Sequence, residues 1–139
     1  MSLLRFSTLF LLALLALAPG CRRETPEAAF KAFVTAVRAG DRDVAWDAFS
    51  KQTRGALESY LAQQRGPGSP ERPAKDVLFD GQLLSSMREI LYVDVLTQSG
   101  GRAVLEIVDE NEEKQQVTMV LEDERWRVEL PIPGAAGGA

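Results

Sequence analysis

The stretch that decides the fold runs from Glu89 to Leu130, EILYVDVLTQSGGRAVLEIVDENEEKQQVTMVLEDERWRVEL. Its apolar residues recur at every second position, which is the period of a strand with one face buried and not that of a helix. In Glu89–Gln98, Ile90, Tyr92, Asp94 and Leu96 share one face and Leu91, Val93 and Val95 the other. In Arg102–Glu110, Ala103, Leu105 and Ile107 alternate with Val104, Glu106 and Val108. Gln115–Glu122 sets Val117, Met119 and Leu121 on one side, and Arg125–Leu130 sets Trp126, Val128 and Leu130 against Arg125, Arg127 and Glu129. Ser99-Gly100-Gly101, Glu110-Asn111-Glu112 and Asp123-Glu124 separate the four runs. Connections this short join antiparallel neighbours, so the pattern predicts a four-stranded antiparallel meander with one buried face. Pro131 and Pro133 end it, and residues 133–139 read as a flexible tail.

Upstream of this stretch the period is helical. Thr25 supplies a capping hydroxyl, Pro26 a residue pre-set for the first turn and Glu27 an acid near the positive end of the helix dipole. Phe30, Phe33, Val34 and Val37 follow at helical spacing, and Gly40 ends the helix. Asp41 caps a second helix with Val44, Ala45, Ala48 and Phe49 as its stripe and Trp46 at the margin. Ser50 caps a third, on which Leu57, Tyr60 and Leu61 share a face. Arg65–Asp76, RGPGSPERPAKD, reads as a loop because three prolines and two glycines allow neither a helix nor a central strand. Asp80 then caps a short helix holding Leu83, Leu84 and Met87. Helices first and an antiparallel sheet after define an α+β class, with N-terminal helices packed on the sheet.

A chain of 139 residues suits one domain, and 45% apolar with 26% charged residues is a globular composition. The net charge of −4 and the scatter of basic residues argue against a nucleic-acid partner, which needs a clustered basic footprint. The chain has no histidine, the commonest general base and metal ligand. Its one cysteine excludes an internal disulfide and any multi-cysteine metal site. No cofactor is expected.

That cysteine, Cys21, follows a 13-residue apolar run, Phe6–Ala18, with Arg5 ahead of it and Pro19-Gly20 behind. A spanning helix needs about 20 apolar residues, so residues 1–20 read as a signal peptide. Two processing routes remain open. Ala18-Pro19-Gly20 carries the small residues of ordinary secretory cleavage, giving a secreted or periplasmic chain. LAPGC, residues 17–21, resembles a bacterial lipobox, although Leu17 stands one position earlier than usual and Pro19 is uncommon there. The placement of the single cysteine favours the second, with lipid on Cys21, residues 21–25 as a tether and 26–132 as the domain. The partner is then a lipid bilayer of the cell envelope, the outer membrane in a Gram-negative source.

TPEAAFKAFVTAVRAGDRDVAWDAFS (residues 25–50) and VTMVLEDERWRVEL (residues 117–130) resemble the nuclear-transport-factor-2-like superfamily, in particular its small bacterial lipoproteins. The resemblance lies in Gly40-Asp41 leading into Ala45-Trp46-Asp47-Ala48-Phe49 and in the closing Trp126-Arg127-Val128, and it covers roughly residues 25–131. It implies a strongly curved sheet whose concave face, closed by helices, forms a cone (an α+β roll). That cone is catalytic in some members, binds a ligand in others and is filled by side chains in many. In those members the last hairpin usually turns through Asp-Gly or Asn-Gly. Here Asp123-Glu124 stands in its place, and because glutamate adopts positive φ poorly, a longer or differently shaped turn is expected.

Enzymes of this superfamily carry Asp, His or Tyr in the cone, so the residues to weigh are Asp47, Glu58, Tyr60, Tyr92 and Asp94. Trp46, Phe49, Tyr60, Tyr92, Asp94 and Trp126 are the candidate pocket lining, and no catalytic or metal residue is assigned. Glu106, Asp109, Glu110, Glu112 and Glu113 lack fixed ligand spacing and read as a solvated rim. The expectation is a non-enzymatic binding or accessory domain, with a carrier of small apolar ligands as the alternative and a proton-transfer enzyme behind both. An envelope protein, or a second copy through Val104, Val108, Thr118 and Val120 on the outer sheet face, is a further expected partner.

Overall fold

The structure, a computed structural model, describes residues 23–80 and 88–132. Within them lie four helices, α1 (Pro26–Ala39), α2 (Arg42–Asp47), α3 (Lys51–Gln63) and α4 (Ala74–Phe79), then four strands, β1 (Ile90–Ser99), β2 (Arg102–Asp109), β3 (Lys114–Glu122) and β4 (Arg125–Glu129). The strands form one antiparallel sheet in sequence order, so the fold is α+β. Cys21 and the expected helix around Leu83, Leu84 and Met87 lie outside the described residues.

The helix ends follow their sequence signals. Thr25 Oγ1 accepts from Ala28 N at 3.2 Å, Asp41 Oδ1 from Val44 N at 3.2 Å and Ser50 Oγ from Thr53 N at 3.1 Å. Gly40, at φ 72°, donates to the carbonyls of Ala36 and Val37, which closes α1 in the left-handed conformation glycine tolerates. Two expectations need correction. The second helix stops at Asp47, leaving Val44 exposed, while Phe49 is buried as an extended residue bridged in parallel to Val128. The loop ends at Pro73, not Asp76: Pro73, extended at ψ 139°, is the residue that precedes the first turn of α4, whose Phe79 is buried.

Ala48–Ser50 fastens to β4 through Val128 N to Ala48 O at 2.8 Å and Ser50 N to Val128 O at 2.9 Å. Beneath this seam two buried hydroxyls satisfy each other. Ser50 Oγ lies 3.0 Å from Thr53 Oγ1, which accepts from Leu130 N at 3.0 Å. The Glu122 carboxylate takes the first amide of α3, Lys51 N, at 3.1 Å, as a helix N-terminus requires. One buried cluster joins Phe30, Val34 and Val37 of α1 and Leu57 of α3 to Val93, Leu105, Ile107, Met119, Trp126 and Val128 of the strands. Leu105, Met119 and Val128 are its largest fully enclosed side chains.

The alternation on β2 holds, with Ala103, Leu105 and Ile107 buried. On β1 it breaks twice. The register shifts between Ile90 and Tyr92 and again between Val95 and Thr97, and the extra residues, Leu91 and Leu96, are both exposed. A bulge adds one residue and exchanges the faces beyond it. Ile90 therefore pairs with Asp109 on the core face, whereas Tyr92 and Asp94 pair with Val108 and Glu106 on the outer one. Leu121 and Leu130, expected inside, are exposed where the buried face runs out.

The hairpins follow backbone chemistry. Gly100, at φ 57°, occupies the first position of the two-residue β1–β2 turn, as a type II′ turn requires. The β3–β4 turn is also two residues long, contrary to the longer or differently shaped turn expected, with Asp123 at φ 50° and Glu124 at φ 64°. Both central residues are left-handed, as in a type I′ turn, and the glutamate is strained into place.

Candidate functional site

The six candidate pocket residues do not converge. The Trp46 and Phe49 rings meet edge to face with centroids 6.1 Å apart, and Phe33 lies 5.1 Å from Phe49, so these aromatics pack on one another. Tyr60 is exposed on α3, and Asp94 is exposed on the outer sheet face beside Tyr92, which is 64% exposed. Asp47 and Glu58 are exposed as well. Trp126 is buried, and its edge borders an open groove of about 870 Å³ between the start of α1 and the two hairpin tips, where Arg23, Glu27, Gly100, Leu121 and Glu124 also stand. The outer face is a mixed surface. Arg102–Glu129 at 2.9 Å and Lys114–Glu106 at 3.1 Å run among the half-buried Val104, Val108, Thr118 and Val120.

A different recess is present at the far end of the sheet. About 410 Å³ in volume, it is floored by Phe30 of α1 and by Ile90, Ile107 and Val117 of the strands, with Arg88, Asp109, Glu113 and Gln115 in its walls. The first bulge builds it, because without the extra Leu91 the Ile90 side chain would face outward. Asp109 is its fixed point and corrects the expected solvated rim: it is 5% exposed, and all its bonds are made. Oδ1 accepts from Asn111 N at 2.9 Å and Glu113 N at 3.0 Å, closing the turn in which Glu112 takes φ 61°, while Oδ2 accepts from Arg88 at 3.1 Å. Burial opposes its charge, but the Arg88 guanidinium and the two backbone N–H groups outweigh that and hold the carboxyl below the usual carboxylate range. The same bonds, to Asp109 and to Glu113, raise the already high value of Arg88. Arg38 donates to the Arg88 carbonyl at 3.0 Å and ties the end of α1 to this corner.

A second charged group has a structural role. Arg42 pairs with Asp76 and Asp80, Arg72 with Asp80, and Lys75 with Asp43, which fastens α4 to α2. The Arg72 hydrogen bond lowers Asp80 below its ordinary value, and the Asp43 hydrogen bond raises Lys75. No group of three or more potential metal ligands occurs among the described residues. None of their helices is long and apolar enough to cross a membrane.

Sequence reasoning missed Arg88 and the burial of Asp109. The signal for the latter was an aspartate placed just before a polar turn, where its carboxylate can accept the N–H groups two and four residues on. No known family model, curated protein or solved structure matches the chain.

Proposed function

We propose that the chain is a bacterial envelope lipoprotein of the nuclear-transport-factor-2-like kind, anchored through acylated Cys21 and carrying a non-enzymatic binding or accessory domain. In this reading α1 to α4 cover the concave face of a sheet curved into a cone. The observation that carries the anchor is a spacing: Cys21 ends an apolar segment and stands four residues before Thr25, the cap of α1. That tether spans at most ~14 Å, at about 3.5 Å per residue. Each buried methylene of an attached acyl chain contributes ~0.8 kcal/mol of membrane affinity, so several chains on one residue hold the domain at the bilayer. The scatter of Asp47, Glu58, Tyr60, Tyr92 and Asp94 over exposed positions supports a non-enzymatic domain.

Mass spectrometry of the mature amino terminus tests the anchor. A diacyl or triacyl adduct on Cys21 is the expected result; an unmodified thiol, or a terminus beyond residue 21, rejects it. A second reading, a carrier or sensor of small apolar ligands, is favoured by the recess over Phe30 and Ile107, whose volume lies within the range of small-molecule sites.

A further inference from the structure

We infer that the recess at the β2–β3 end takes an amine with an apolar chain, its chain over Phe30, Ile90, Ile107 and Val117 and its ammonium at Glu113; this rests on the binding-domain reading and not on the anchor.

The floor sets the apolar half of the ligand. Phe30 and Ile107 are buried and Ile90 and Val117 half-buried, so a chain entering there replaces water over side chains that already exclude it from one side. The walls set the charge of the head group. They hold one cation and two anions, and these are not equally available. Arg88 Nη1 is bonded to both Asp109 and Glu113, and Asp109 is enclosed with both oxygens engaged. Glu113 has its side chain 59% exposed and meets Arg88 through Oε2, while its Oε1 makes no hydrogen bond with the described residues. Glu110 and Glu112, on the same turn, are exposed and make no ion pairs with the described residues, and the neighbouring Lys114 is turned to Glu106 on the outer face. An ammonium at Oε1 therefore meets a negative field without displacing Arg88 from Asp109. A carboxylate would meet Arg88 only beside the two acids it already pairs with, and would face Glu110 and Glu112 besides.

The test uses the ¹⁵N-labelled full chain in phosphatidylcholine nanodiscs, titrated at neutral pH with pentylammonium, pentanoate and pentanol. Pentylammonium is expected to shift the amide signals of Ile107, Asp109, Glu113 and Val117 saturably, with pentanoate at least tenfold weaker. Glu113→Gln is expected to weaken pentylammonium about tenfold and to leave pentanol unchanged. Equal binding of pentylammonium and pentanoate, or an unchanged pentylammonium affinity in Glu113→Gln, overturns the amine and leaves a site for neutral chains standing. Absence of saturable shifts with all three probes overturns both the amine and the ligand-carrier reading, whatever mass spectrometry finds on Cys21.

Discussion

Glu124→Gly should make the protein more stable. Glu124 occupies the second central position of the β3–β4 turn at φ 64°, where an L residue pays roughly 1–2 kcal/mol for the crowding of its Cβ. Glycine avoids that cost but gives the unfolded chain more freedom, a loss of about 0.5–1 kcal/mol. The Glu124 side chain makes no hydrogen bond or ion pair with the described residues, so nothing of that kind is surrendered, and the net gain is about 0.5–1 kcal/mol. For a domain of about 100 residues this is a rise in Tm of roughly 2–6 °C. Thermal and urea unfolding of the two proteins measure it, with an unchanged urea m-value showing that stability changed and the surface exposed on unfolding did not. Two controls separate backbone strain from charge. Glu124→Gln keeps the left-handed Cβ, removes the charge beside Asp123 and should stay near wild type. Gly100→Ala places a Cβ in open space at φ 57° and should cost about 1 kcal/mol through conformation alone. A Glu124→Gly protein no more stable than wild type refutes the strain argument. So does a gain matched by Glu124→Gln, because relief of repulsion would then explain it.

Thr53→Val should destabilise by about 1–3 kcal/mol, since it leaves the fully buried Ser50 hydroxyl without an acceptor and takes its partner from the part-buried Leu130 N–H, whereas Thr53→Ser keeps the acceptor and should cost less; urea midpoints compare them. Asp109 holds its carboxyl below the usual range when folded, so the stability it contributes is complete above its unfolded value near 4 and is lost as pH falls through that value towards the folded one. The urea midpoint of the native protein should accordingly drop between about pH 5 and pH 3, and Asp109→Asn should lower the neutral-pH midpoint and flatten that slope. Asp94 stands directly across from Glu106 on the outer face, like charge against like, so Asp94→Lys should raise stability by about 0.2–1 kcal/mol and lose the gain in high salt.

The sheet was legible because one physical rule, the two-residue period, operates over β2, β3 and β4 without interruption. The caps at Thr25, Asp41 and Ser50 were equally plain, each being a short polar side chain set ahead of an apolar helical stripe. What escaped was decided across the chain and not along it. Val44 is a good stripe residue on a helix long enough to need one, but α2 is a turn and a half, and the β4 edge draws Ala48–Ser50 away as an extended seam. The Asp123-Glu124 turn keeps its two-residue length against the preference of glutamate. The residue before it, Glu122, caps α3 at Lys51 N, and Lys51 Nζ reaches Asp123 at 3.0 Å, so a longer loop would carry these carboxylates away from their partners.

The bulges of β1 carry the same lesson to the site. In EILYVDVLTQ a strict alternation places Ile90 with Tyr92 and Asp94, and it was this placement that made a tyrosine–carboxylate pair worth weighing. Each side chain on an edge strand is free to be skipped, because one side of the strand has no ladder to keep. Leu91 and Leu96 are the skipped residues, and neither carries a mark such as glycine that would announce a bulge in advance. Once Leu91 is removed from the count, Ile90 comes to lie opposite Asp109 and the two border a recess that strict alternation does not predict. The acids around that turn, taken separately, look like any solvated hairpin. Their difference lies in Arg88, which sits 21 residues from Asp109 and meets it through the β1–β2 pairing. A charge pair separated in that way leaves no trace in local spacing, and it is the element that divides an enclosed aspartate from the exposed glutamate beside it.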